Sequence, residues 1–205
     1  MTPLPVFLTA MFLLNITPGP DMLYVLARAT GQGRAAGLAS ALGIGAGCFF
    51  HIFAVAFGLA ELLRTVPIAY AAVRYAGAAY LIYLGMRTLL TRAGNSASAP
   101  TIAPAGLTRI FLQGMLTNML NPKVALFFLA FLPQFIDSRA SAFWQTVRLG
   151  LIFDCSGTLV NVVVALAASS VGIALRNRIG GAPFFRWLTG GVFIALGLRL
   201  AHRDA

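Results

Sequence analysis

Acidic residues are almost missing from this chain, with 5 set against 15 lysines and arginines in 205 residues, and charged residues of every kind make up only 10%. A soluble domain carries charge at about a quarter of its positions, so a surface facing water on all sides is excluded. Cysteine is as scarce, and Cys48 and Cys155 each fall inside an apolar run. Two such thiols cannot staple a secreted disulfide framework and read as small, buried packing residues. A leader is missing too: MTPLPVFLTAMF has no basic n-region and no convincing small-residue cleavage site, so the first apolar run is expected to stay as a span.

What the chain does have is apolar length. Hydrophobic residues make up 59% and mean hydropathy is +0.85. Runs able to cross a hydrocarbon core, which takes about 20 residues, occur near 4–27, 35–62, 66–89, 107–135, 145–174 and 184–201. The expected fold class is therefore all-α, a polytopic membrane protein of six transmembrane helices. The basic excess flanks these runs, as the positive-inside rule requires, and it does not call for nucleic acid. With the N-terminus outside, the inner loops hold Arg28, Arg34, Arg87, Arg92, Arg109, Arg176, Arg178 and Arg186, while Arg64, Arg139, Arg148, Arg199 and Arg203 lie outside. That balance favours both termini on the outer face.

The polar, proline-containing stretch TRAGNSASAPTIAPAG separates the third and fourth runs. It divides a single transporter domain, 1–205, into a first three-helix half, 1–90, a cytoplasmic linker, 91–106, and a second half, 107–205. Three spans per half means that the halves enter the membrane from opposite sides, which predicts an inverted 3+3 repeat with discontinuous helices 1 and 4. Shifting the first half by 103 residues lays Asn15 over Asn118 and His51 over Asp154; a shift of 102 lays Pro20 over Pro122 and Asp21 over Lys123.

The two breaks are NITPGPD, from Asn15 to Asp21, and NMLNPK, from Asn118 to Lys123. A proline has no N–H and crowds the carbonyl four residues back, so Pro18 and Pro20 should free the carbonyls of Leu14 and Ile16. A new half-helix can start with Thr17 or Gly19 as cap and Pro18 or Pro20 as its first residue, placing Asp21 in a first turn that favours an anion. In the second break Asn121 is the cap and Pro122 the first residue. Lys123 then opposes the dipole of its own helix and carries a charge into the membrane, so it needs a partner, and Asp21 is the obvious one. Two readings stay open. Asp21 and Lys123 form a static pair, or the pair and the exposed backbone bind an amino acid, its carboxylate toward Lys123 and its ammonium toward Asp21.

The stretches NITPGPDMLYVLARATGQGRAAGLASALGIGAG, YAGAAYLIYLGMRTLL, GMLTNMLNPKVALFFLAFLPQF and FRWLTGGVFIALGLRLA, in this order, resemble the LysE/RhtB family of amino-acid exporters. The resemblance implies a bacterial inner-membrane protein that exports amino acids by proton antiport with alternating access. No catalytic residues, metal or cofactor are expected. It puts weight on Pro18, Gly19, Pro20 and Asp21 and on Asn118, Asn121, Pro122 and Lys123 as substrate-binding residues, and Arg74 resembles a basic position ahead of the family's GAAYL stretch.

Other polar residues in the spans are His51 and Asp154, candidates for carrying a coupling proton, and Asn161, a weaker one. Arg148 is close enough in sequence to shelter Asp154. Glycines 37, 43, 45, 47, 77, 85, 190, 191 and 197 read as close-packing positions. The expected partners are the amino-acid substrate, protons and the bilayer, and a homodimer suits so small a bundle. The competing reading is a membrane thiol-disulfide carrier of the DsbD/CcdA type using Cys48 and Cys155. Against it, neither thiol sits at a break or near a cation that would stabilise a thiolate.

Overall fold

The computed structural model describes residues 4–58, 65–90, 104–137, 139–170 and 183–202. Outside it lie most of the linker, the ends of the second and fifth runs, and the loop residues Arg64, Arg92, Arg176, Arg178 and Arg203; the side chains of Arg74, Arg87, Arg186 and Arg199 are likewise not described. Every regular element among the described residues is helical.

The first run is two helices. α1 (Leu4–Ile16) stops where Thr17 precedes Pro18, because a residue before proline is driven out of the helical region. α2 (Pro20–Gln32) starts on proline after an extended Gly19 (φ −150°), and the axes of α1 and α2 differ by 42°. Of the two starts open in the sequence, the Gly19/Pro20 one is used. Gly33, with φ +85°, then lets the chain reverse into α3 (Arg34–Ala56) within a single residue, a conformation that side chains with a Cβ rarely adopt. α4 (Pro67–Leu90) completes the first half.

A similar bend recurs later in the chain. α5 (Leu107–Met119) ends at Leu120, and α6 (Pro122–Leu126) restarts on proline after Asn121. The combined bend is 43°. The sequence predicts one continuous helix from here to residue 135, but the ladder changes twice: a π-helical turn covers Phe127–Phe131 and a 3₁₀ turn covers Leu132–Phe135. Pro133 accounts for the change, since it cannot donate and its ring crowds the carbonyl of Leu129. α7 (Ala142–Ser170) and α8 (Pro183–His202) follow. By length and apolar composition α3 and α7 can each cross a bilayer alone, and the two bent pairs raise the number to four. The chain is thus all-α with several apolar helices fit for a membrane.

α3 is the hub. It packs on α5 and α7 and against α2, while α4 and α8 pack on each other. Glycine makes the α3–α5 contact close: a Cβ at Gly43 would stand 2.1 Å from the carbonyl oxygen of Phe111, and one at Gly47 would stand 2.4 Å from that of Met115. Backbone lies on backbone there, as the small-residue spacing predicts. Gly191 departs from the expectation, with nothing within 4 Å of a Cβ built on it.

Two cores result. A large one at the α1 end is aromatic, with Phe7, Phe127, Phe128, Phe131 and Phe153 in stacked, tilted and edge-on contacts. A small one at the α2 end is aliphatic, built from Val25, Ala29, Ala41, Ile44 and Ala165. Cys48 is buried in the large core, but Cys155 is exposed on the surface of α7, which corrects the expectation that both thiols are buried.

Candidate functional site

The two proline breaks meet between these cores. At the first, the Thr17 N–H still reaches back to Leu13 and Leu14, and the Thr17 hydroxyl donates to the Leu13 carbonyl at 2.6 Å. Gly19 supplies no side-chain cap to α2. At the second, Asn121 Oδ1 accepts from the Lys123 N–H at 3.0 Å, closing the N-cap that the sequence predicts.

Lys123 is only 6% exposed and does not pair as expected. Its Nζ donates to the carbonyl of Leu14 at 2.9 Å and to that of Thr17 at 3.0 Å. No Asp21–Lys123 contact within 4.0 Å is present among the described residues. The ammonium thus caps the C-terminal end of α1, where the helix dipole favours a cation and the Leu14 carbonyl, four residues before Pro18, lacks its i+4 donor. Gly19 makes this approach possible, since a Cβ there would lie 3.2 Å from Nζ. The freed carbonyl at Leu14 was legible in the sequence, but its partner was not.

Asp21, in the first turn of α2, accepts at Oδ2 from Asn118 Nδ2 at 2.9 Å. The backbone carbonyl of Asn118 takes a hydrogen bond from His51 Nε2 at 3.0 Å, which holds α3 to the second break. His51 is therefore a support behind the site, and it does not line the cavity. Three buried side-chain atoms among the described residues have no hydrogen-bond partner: Asp21 Oδ1, Asn118 Oδ1 and Asn121 Nδ2. All three belong to the two breaks. Together they leave two acceptors and one amide donor at the breaks, and the Asn121 side chain lies close enough to act on the Asp21 carboxylate.

A cavity opens beside them, lined by Asp21, Asn118 and Lys123, by Asp154, Thr158 and Asn161 of α7, and by the apolar Ile44, Cys48, Val124 and Phe153. Of the residues expected at the site, Asp21, Asn118 and Lys123 line this space directly. Gly19 and Asn121 hold Lys123 in place, and Pro18, Pro20 and Pro122 shape the turns. Asp154 faces the cavity without Arg148, which is exposed. Six residues along an α-helix turn through about 600°, so the two side chains leave α7 about 120° apart.

Three features escaped the sequence. Thr158, four residues after Asp154, lines the cavity, and that spacing alone could have found it. Asn15, noted only for its alignment with Asn118, donates to Ser156 Oγ at 2.7 Å and to the Phe153 carbonyl at 3.2 Å, tying α1 to α7. Arg28, counted as a loop charge, is buried at the end of α2. Its Nη2 donates to Gln113 Oε1 at 2.7 Å and its Nε to the Tyr24 hydroxyl, which in turn donates to the Ile110 carbonyl. This polar clasp joins α2 to α5 at the end opposite the aromatic core.

Residues 12–204 match the family described as LysE type translocator. A leucine efflux protein of Salmonella typhimurium (strain LT2) is 31% identical over 204 residues, covering 95% of this chain and 92% of the relative. The leucine efflux protein of Enterobacter sp. (strain 638) is 34% identical over 201 residues, covering 95% and 93%. No solved structure matches. Both cysteines are free, and nothing in these relationships supports a thiol-disulfide carrier. With a family match running nearly end to end and relatives aligned over almost their whole length, the chain belongs to the LysE-type translocators, a family of amino-acid efflux proteins.

Proposed function

We infer that this protein exports an α-amino acid across the bacterial inner membrane, and that the cargo's backbone is held between the two breaks. The observation that carries the reading is the set of open atoms there. An ammonium suits Asp21 Oδ1 and Asn118 Oδ1, both acceptors, and a carboxylate suits Asn121 Nδ2 and the Lys123 ammonium. The relatives named as leucine efflux proteins make an amino acid the natural cargo class.

The membrane arrangement belongs to the same reading. The halves 1–90 and 107–205, joined by the linker 91–106, form an inverted 3+3 repeat of six spans with both termini outside. Support comes from a proline-started half-helix in each half, with bends of 42° and 43°, and from α4 and α8 packed together as corresponding third spans. Such repeats exchange access by rocking one part against another around a central site. The Arg28 clasp at one end and the aromatic core at the other are the closures this motion would open in turn. Proton antiport supplies the driving force, and Asp154 is a stronger proton carrier than His51, because it lines the cavity while His51 is spent on the Asn118 carbonyl. A homodimer is compatible with this arrangement.

Efflux is tested in cells loaded with mixed dipeptides, recording which amino acids leave faster when the protein is present. Export that persists unchanged when the proton gradient is collapsed overturns antiport. Absence of accelerated efflux for every amino acid overturns the reading itself.

A further inference from the structure

Asp154, Thr158 and Asn161 occupy positions i, i+4 and i+7 of α7, a spacing that sets them in one stripe along the helix. All three line the same cavity as Asp21, Asn118 and Lys123 of the breaks. Their own bonding is thin. Asp154 accepts one long hydrogen bond, from Thr158 Oγ1 at 3.4 Å, and lies beside the weakly donating Cys48 thiol. The Asn161 side chain is only 7% exposed and makes no hydrogen bond with any described residue. Gly45 of α3 leaves this stripe its room, for a Cβ there would stand 2.6 Å from Thr158 Oγ1 and 3.5 Å from Asp154 Oδ1.

None of these groups is needed by the backbone of an amino acid already held at Asp21, Asn118, Asn121 and Lys123. Resting on the reading of amino-acid export, we propose that Asp154, Thr158 and Asn161 form a second subsite, which receives the cargo's side chain and selects one that carries a hydrogen-bond donor. A plain aliphatic side chain would cover the carboxylate and the Asn161 amide without satisfying either, and a site built to hydrogen-bond a substrate discriminates strongly against the analogue that lacks the group. A cationic donor is favoured most. With Asp21, Asp154 and Lys123 ionised, the two carboxylates outnumber the one ammonium around the cavity, and a zwitterion's own charges cancel.

The subsite also fits antiport. A cargo donor and a returning proton compete for the same Asp154 carboxylate, so the two are carried in turn.

The test uses the purified full chain in proteoliposomes, with the membrane potential clamped at zero. Two pairs of cargo with nearly equal shape are loaded: threonine with valine, and lysine with its methyl-ended isostere 2-aminoheptanoate. The wild type is expected to export the donor-bearing member of each pair at least about tenfold faster at low loading. Asp154→Asn should reduce the lysine preference by about tenfold, and Asp154→Glu should restore most of it. Equal or faster export of valine and 2-aminoheptanoate by the wild type overturns the subsite while leaving amino-acid export standing. That ratio requires no variant, so a misfolded mutant cannot obscure it. A lysine preference unchanged in a monodisperse Asp154→Asn protein also overturns it. Failure of the wild type to export all four compounds and every proteinogenic amino acid overturns the export reading, and the subsite falls with it.

Discussion

The two breaks bend by 42° and 43°, yet their chemistry is opposite. The first has prolines at both Pro18 and Pro20, no side-chain cap, and carbonyls at Leu14 and Thr17 that accept from another helix. The second caps itself through Asn121 and sends out the Lys123 ammonium, which supplies those donors. One break is rich in acceptors and the other in donors, and Lys123 joins them.

The largest expected effect comes from removing the link itself. Lys123→Met should lower transport by more than about 100-fold, since it strips two charge-assisted hydrogen bonds worth about 1.5–3 kcal/mol each from the end of α1. Efflux measured at matched protein levels checks this, and near-normal transport in that variant would break the donor–acceptor account. Asp21→Asn keeps shape but loses the anion. It should raise the half-saturating cargo concentration by about tenfold, consistent with losing about 1.4 kcal/mol of charge-assisted bonding, as read in concentration-dependent efflux.

Asn121→Ala sharpens the comparison from the other side. Losing the cap should cost about 1 kcal/mol of stability and lower the unfolding temperature in detergent, whereas Gly19→Ala leaves the caps alone. The extended φ of −150° at Gly19 accepts any residue, but the new methyl would press on Lys123 Nζ. It should therefore impair transport while sparing thermal stability. The smallest effect is expected from Thr17→Val, which removes only the hydroxyl bond to the Leu13 carbonyl and about 1 kcal/mol. Transport within about twofold of the wild type would show that this first break is held through its backbone oxygens.

The breaks were legible in the sequence because proline and an Asn cap act locally: Pro20, Asn121 and Pro122 fix where a helix starts whatever surrounds it. The glycine seam between α3 and α5 was legible for the same kind of reason, as a spacing on one helix. The partner of Lys123 was not, because the dipole argument sees only the helix that bears the lysine. The relief comes from the end of another helix, 106 to 109 residues away in sequence. Arg28 misled in the same way, since a charge at the end of a span looks like a loop charge until Gln113 and Tyr24 close around it.

The wide turn at Phe127–Phe131 bears on how the family's sequences should be compared. A π-helical turn amounts to one extra residue within an α-helix, about 100° around the axis, and the tighter 3₁₀ turn at Leu132–Phe135 takes up part of that offset before the span ends. Relatives without the turn will align through this stretch only with a single-residue gap. A one-residue deletion in this wide turn should be borne more easily than one within the regular α-helix of α3 or α7.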